Sequence, residues 1–381
     1  MAVQTEPTGR RPLTEAELPA GLTHGPSRRH LLRHGLPASG AGLDFTPTAD
    51  GPLPAVAEGV HRLGSGSTCG EVVIVGATGE IRLADRLGQG LSSDPLASDL
   101  AALTALVDAV ESGTRPDPAA YGGRRGPSVA DAVVTAATAR LRAIDPRLFA
   151  DGGRPAHWET ELLLRSLAWG ARPGGPDGPA YEFEPGLVDD LADLAAYGEG
   201  GSVRRLRPEE VPAAITHAPT RRLLTEHGLP LQYEMFGVAG DGPLRTMAES
   251  HPEGFAVPHD RSDQAGFLAI GWWPHDLPVA LDGATGRLEL PAWYEEGGPA
   301  RYLHRDLSAL LYACWTYERL RAAWYRAEED GHPWQAFDPR AVLHAVVDAV
   351  VEAVDPESFA TADHSWRQLA EDPYTGGLLG G

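Results

Sequence analysis

The sequence predicts an α+β protein made of two tandem domains, each a mainly antiparallel sheet with covering helices. Three observations predict it. The chain repeats itself once over a long period, each repeat reads as a block of short strands followed by a block of helices, and strand and helix do not alternate as a parallel sheet would require. A length of 381 residues is too great for one ordinary core and suits two domains of about 150–200 residues.

The duplication is legible motif by motif. Pro19 to Pro37, which contains His24, Arg28, Arg29, His34 and Gly35, returns as Pro212 to Pro230, which contains His217, Arg221, Arg222, His227 and Gly228. Asp50-Gly51-Pro52-Leu53 answers Asp241-Gly242-Pro243-Leu244, and Ala57-Glu58 answers Ala248-Glu249. Ala77-Thr78-Gly79 answers Ala284-Thr285-Gly286, Asp99-Leu100 answers Asp306-Leu307, and Asp145-Pro146 with Phe149 answers Asp355-Pro356 with Phe359. The offset moves from 193 to 191, 207 and 210 residues, so the copies differ by loop insertions. Solenoid repeats run only to roughly 50 residues, and a longer period marks a duplicated domain. A flexible leader is expected over 1–12, the first domain over 13–170, a Pro/Gly-rich and acidic linker over 171–203, and the second domain over 204–381.

The elements are clearest in the second copy. In the linker, Leu187, Leu191 and Leu194 suggest a short helix. A helix then follows Pro219 and stops at Gly228, a natural left-handed cap with Pro230 behind it. Strands are expected at 233–238, 267–273, 279–281 and 287–290. The last two are joined by Asp282-Gly283-Ala284-Thr285-Gly286, a hairpin loop with two glycines. Asp306 caps a long helix with Leu307, Leu310, Leu311 and Cys314 on one face. Helices over 341–354 and around Trp366 and Leu369 close the module.

Composition bounds the function. No apolar run approaches the roughly 18 residues that cross a bilayer, and the polar start lacks the apolar core of a secretory signal, so a cytoplasmic protein is expected. A net charge of −21 argues against nucleic acid as a ligand and favours a basic partner. Every basic side chain is Arg and the chain has no Asn, as in a GC-rich genome such as an actinobacterial one. Without Lys there is no Schiff base and no P-loop lysine. Cys69 and Cys314 do not hold matching places in the copies, which predicts buried thiols rather than a disulfide or a zinc site. No bound metal or nucleotide cofactor is expected.

Enzyme signatures fail in turn. In Gly64-Ser65-Gly66-Ser67-Thr68-Cys69-Gly70 the third Gly stands one place late for a dinucleotide fingerprint. His157-Trp158-Glu159 is half of a zinc deaminase motif whose Pro-Cys-x-x-Cys half is absent. His24, Arg28 and Arg29, repeated as His217, Arg221 and Arg222, read either as an anion site at a helix start or as a histidine that fixes the helix entry while one Arg pairs with an acidic neighbour on the sheet. Retention in both copies favours the structural role. Gly35, Gly228, Asp282 and Gly286 are placed in the same structural set.

Tryptophan is uneven: Trp272, Trp273, Trp293, Trp315, Trp324, Trp334 and Trp366 all lie in copy two. Trp272 and Trp273, adjacent on one strand, must point to opposite faces. One fills the core; the other is covered by a helix, exposed, or engaged with a partner. With Trp293, Tyr294, Glu295 and Glu296 they form the candidate partner-binding set, an aromatic anchor beside carboxylates.

The order Thr220-Arg221-Arg222-Leu223-Leu224, Gly228-Leu229-Pro230, Phe267-Leu268-Ala269-Ile270-Gly271, Leu281-Asp282, Thr285-Gly286 and Asp355-Pro356 with Phe359 and Trp366 resembles the SUKH superfamily. More narrowly it resembles the fourth SUKH family of bacterial toxin immunity proteins, over about Arg204 to Leu379. Copy one is similar more loosely. It has 18 residues between Glu58 and Ala77 where copy two has 34 between Glu249 and Ala284, which predicts that it has lost or remodelled the Phe267–Gly271 strand. The resemblance implies an α+β fold and a non-enzymatic role in binding and neutralising a protein toxin, such as a nuclease or nucleic-acid deaminase with a basic cleft. Two other readings stay open: an adaptor or scaffold subunit, and a cryptic enzyme using residues of one copy only.

Overall fold

The computed structural model describes residues 10–45, 52–66, 70–84, 93–113, 118–150, 155–196, 201–231, 236–238, 242–256, 262–273, 277–291, 301–329 and 348–360. These fall into two compact units. The first gathers, in the main, the described residues up to Arg124 and from Val129 to Trp169, and the second those from Gly170 to Tyr325 and 348–360. Both are α+β.

In the first unit, helix α1 (Gly25–Arg33) precedes strands β1 (Ser39–Gly40), β2 (Leu43–Asp44), β3 (Ala55–Ala57), β4 (Val60–Gly66), β5 (Glu71–Val75), β6 (Ile81–Ala84) and β7 (Ser93–Ala97). They form one sheet in the order β1-β2-β4-β5-β6-β7, with β3 also on β4, and every pairing is antiparallel. Helices α2 (Leu100–Gly113), α3 (Pro127–Ile144) and α4 (Ala156–Gly170) follow. Period-2 alternation on β5 sends Val72 and Ile74 into the core with Leu31, Leu103, Leu106, Val133 and Trp158, while Val73 joins Val60 and Ala84 on the other face.

The second unit opens with α5 (Leu187–Ala195), β8 (Val203–Arg204) and α6 (Ala218–Arg222), which runs on into a π turn at Leu223–His227. Strand β9 (Leu229–Pro230) pairs with β8. Strands β10 (Gly237–Val238), β11 (Leu268–Trp273), β12 (Leu277–Leu281), β13 (Leu288–Glu289) and β14 (Tyr302–His304) form a five-stranded antiparallel sheet in chain order, and α7 (Met247–Ser250) lies between β10 and β11 in sequence. Helix α8 (Leu307–Glu329) buries the predicted face of Leu307, Leu310, Leu311 and Cys314. Asp306 caps it, its Oδ1 accepting from the N–H of Ser308 at 2.9 Å and of Ala309 at 3.2 Å. Helix α9 (Asp348–Val354) ends the described chain with a 3-10 turn at Pro356–Phe359. Cys69, Trp334, Trp366 and Leu369 lie outside the described residues.

Four expectations are corrected. Copy one keeps the strand it was expected to have lost or remodelled: Arg62 faces Val73 on β4 and β5 as Ala269 faces Ala280 on β11 and β12, and both strands bulge just beyond these positions. The extra residues of copy two lie ahead of that strand. The Ala57-Glu58 and Ala248-Glu249 match is accidental, because Ala57 ends a strand and Ala248 lies in a helix. Arg10 to Pro12 are no loose leader: Arg11 bridges Leu36, as Arg204 pairs with Leu229, and Arg10 pairs with Asp108 at 2.5 Å. Nor does the linker stand apart from the second domain, as the division at 204 expected. Tyr181 is buried and stacks on Tyr312, rings 4.2 Å apart and 15° from parallel, and its N–H donates to Ser308 Oγ at 2.9 Å. Helix α5 buries Leu187, Val188 and Leu191, so this segment forms part of the second unit.

Candidate functional site

The repeated polar residues build the same corner twice. His24 and His217 precede α1 and α6 at φ −64° and −65°. Their Nδ1 atoms lie 2.8 Å from Ser27 Oγ and from Thr220 Oγ1 respectively. The backbone N–H of His24 donates to Gly76 O at 2.8 Å, and that of His217 to Gly283 O at 3.0 Å. Arg28 Nη1 donates to Leu22 O at 3.3 Å, and Arg221 Nη1 to Ile215 O at 2.9 Å. Each arginine thus satisfies a carbonyl just ahead of its own helix. Arg28 also pairs with Glu15 at 2.5 Å, which lies in the turn before the helix rather than on the sheet. Arg29 and Arg222 are exposed, and Arg222 pairs with Glu226 at 3.4 Å.

Gly35 and Gly228 end these helices at φ +64° and +84°, where a β-carbon would stand 1.9 Å from Arg11 O and 2.5 Å from Arg204 O. Asp282 leaves the repeated set. Its N–H donates to Arg287 O as that of Val75 does to Glu80 O, so the matching residue is Val75. In copy two the carboxylate adds bonds of its own, from Ala284 N at 2.9 Å and from Thr285 Oγ1 at 2.7 Å.

A second paired feature is a buried aspartate ahead of the closing turn. Asp145 accepts from Ser98 N at 2.7 Å and Leu148 N at 3.2 Å. Asp355 accepts from Arg305 N at 2.8 Å and also from Tyr302 Oη at 2.8 Å, with His304 Nδ1 at 3.0 Å. Burial pushes the Asp355 carboxyl pKa up, but the hydrogen bond and charge of His304, the Arg305 N–H and the Tyr302 hydroxyl bring it below the ordinary value. His304 and Asp355 are 0% and 1% exposed, which closes them to a substrate. Among the described residues no three His, Cys, Asp or Glu side chains gather as metal ligands.

What distinguishes copy two lies on the opposite face of its sheet. The segment between β10 and β11 carries α7 and 3-10 turns at Pro252–Phe255 and Ser262–Gly266. It lays Met247, Phe255 and Phe267 against Ala269 and Ala280. Glu289, buried on β13 in register with Ala280, is held by Gln264 Nε2 and Arg301 Nε, each at 2.7 Å, and by Arg287 at 3.0 Å.

Alternation splits the tryptophan pair as the strand period requires: Trp273 is 3% exposed and Trp272 41%. Trp272 sits in register between Gly237 on β10 and Pro278 on β12. In copy one the matching position, opposite Glu71, is Ser65, so the fold manages there without an aromatic ring. His251, at the end of α7, meets Trp272 edge to face at 5.0 Å and 88°. Its imidazole pKa is pushed down by burial and partly restored by Glu253. Sequence reasoning missed His251 and Glu253, which no motif marks. Trp293, Tyr294, Glu295 and Glu296 lie outside the described residues.

Among the described residues no helix is long and apolar enough to cross a membrane. No curated protein and no solved structure matches the chain. The family model of the SUKH-4 immunity protein matches it twice, over residues 8–164 and 189–372. The chain therefore belongs to the SUKH-4 immunity protein family and carries two tandem copies of its domain.

Proposed function

We propose that this chain is a non-enzymatic, cytoplasmic immunity protein that binds and neutralises a polymorphic protein toxin, and that the toxin docks on the second unit at the face carrying Trp272. Family membership supports the immunity role and a protein partner. The exposure of Trp272, on a strand whose counterpart in copy one has Ser65, carries the placement. A large ring left 41% exposed where the other copy has a serine is the kind of residue that anchors interfaces. Trp293, Tyr294, Glu295 and Glu296 belong to the same proposed surface, with Trp273 behind it in the core.

A net charge of −21 suits a basic partner, and a nuclease or nucleic-acid deaminase toxin has the cleft to match. The test is co-expression with the toxin encoded beside the gene. The intact chain restores growth, and Trp272→Ala, still folded, does not. Full protection by Trp272→Ala moves the interface elsewhere, first to the acidic helix α5.

A further inference from the structure

We propose, resting on that placement of the partner, that Trp272 is the seat of a partner arginine whose guanidinium stacks on the indole while Glu253 answers its charge. The seat is open. Trp272's neighbours across the strands are Gly237, which has no side chain, and Pro278, which has a short one. His251 meets the Trp272 ring edge to face, so it does not stack flat upon it. Elsewhere this protein stacks its own guanidinium groups on rings, Arg287 over Tyr302 at 4.6 Å and Arg319 over Trp315 at 5.1 Å. Among the described residues no such cation covers Trp272.

The surroundings choose the charge of the occupant. Glu253 is exposed, two residues beyond His251, and close enough to act on that imidazole. Glu249, on the preceding turn, is kept ionised by its hydrogen bonds to Thr246. His251, being buried, resists protonation and sets no positive charge against a cation. A planar, weakly hydrated guanidinium suits an indole face better than a compact ammonium. A ring flanked across the strands by glycine and proline gives an apolar side chain no pocket to fill.

The test titrates the full chain, labelled with 15N in its tryptophans, with hexa-arginine and with hexacitrulline, which keeps the planar side chain and removes its charge. Trp272→Phe identifies the Trp272 indole signal. Hexa-arginine is expected to move that signal and hexacitrulline to leave it, with a midpoint about threefold higher in Glu253→Gln, since the pair is solvent-exposed. A Trp272 signal that hexa-arginine leaves in place, that hexacitrulline moves equally, or whose midpoint ignores Glu253→Gln overturns the proposal. Toxin protection by the Trp272→Ala variant is read separately. Loss of protection with an unmoved indole signal keeps the partner site and removes the arginine.

Discussion

Gly286 lies so close to His217 that a β-carbon on it would stand 2.2 Å from the ring Nδ1, and Gly79 stands to His24 in the same relation at 2.0 Å. Both glycines hold positive φ, +83° and +78°, and each closes a turn by donating its N–H four residues back, Gly286 N to Asp282 O at 2.8 Å and Gly79 N to Val75 O at 2.7 Å. The turn between two strands and the start of a helix are thus one packed corner in each copy. This is why the sequence preserves His near the start of each copy and Thr-Gly far downstream.

Gly286→Ala meets two penalties, the left-handed backbone and the ring. It should cost about 3 kcal/mol of stability in the second unit. In a His217→Ala background the ring is gone, and the same change should cost about 1 kcal/mol, the backbone penalty alone. Urea unfolding of the four proteins of this cycle measures the coupling, and simple additivity would show that ring and glycine do not meet.

How much of this was legible depends on range. His217 and Gly286 were visible because the chain writes them twice, and the opposed Trp272 and Trp273 because strands alternate with a period of two. Helix α8 was visible from Asp306 and the spacing of Leu307, Leu310, Leu311 and Cys314. Contacts between distant segments left no such mark. Nothing periodic joins Tyr181 to Tyr312, so the linker read as separate from the second domain. Ala57-Glu58 and Ala248-Glu249 matched as letters although Ala57 ends a strand and Ala248-Glu249 lies within a helix. Nor does any pattern announce that His304 and Tyr302 converge on Asp355.

That convergence predicts unequal responses in the two units. Asp355→Ala leaves Tyr302 Oη, His304 Nδ1 and Arg305 N without their buried acceptor, and should cost about 3–4 kcal/mol. Asp145→Ala removes the acceptor of two backbone N–H groups, Ser98 and Leu148, and should cost about 1–2 kcal/mol. Because the folded pKa of Asp355 is lowered, its contribution is present above the ordinary carboxylate range and fades as the pH falls through the folded value. Equal losses from the two substitutions, read by chemical denaturation, would refute the difference.

Acid should also weaken the first unit through two histidines. His61 is 5% exposed, and among the described residues neither ring nitrogen has a hydrogen-bond partner. It faces Ile74 as Leu268 faces Leu281 in copy two, so a leucine fills that place there. His157 is buried with Nε2 2.9 Å from Ala41 O. Burial pushes both imidazole pKa values down. A lowered folded pKa means that the unfolded chain takes up protons first. Stability is then full above the unfolded value of about 6.5 and falls below it, by at most about 1.4 kcal/mol per pH unit for each histidine. His61→Leu should raise the stability of the first unit and shallow this acid slope. Hydrogen exchange of the β4 and β5 amides between pH 7 and 5 follows it, and an unchanged slope would place the acid response elsewhere.

The tryptophan pair gives the sharpest separation of folding from binding. Trp273→Ala empties a core position and should cost about 3–5 kcal/mol of stability, which lowers protection by lowering the amount of folded protein. Trp272→Ala removes a ring that is 41% exposed, at a place where copy one has Ser65. Its stability cost should stay under about 1 kcal/mol, while toxin binding weakens by about 2 kcal/mol, near thirtyfold, if the ring is an anchor. Reversing Glu295 and Glu296 to Arg should act on association, slowing it and flattening its dependence on salt. The two tryptophan variants therefore move along different axes, one in the unfolding midpoint and one in the dissociation constant at an unchanged midpoint. A Trp272→Ala protein that loses stability as Trp273→Ala does, with toxin affinity per folded molecule intact, would return Trp272 to the fold and leave the second unit's sheet face without a partner.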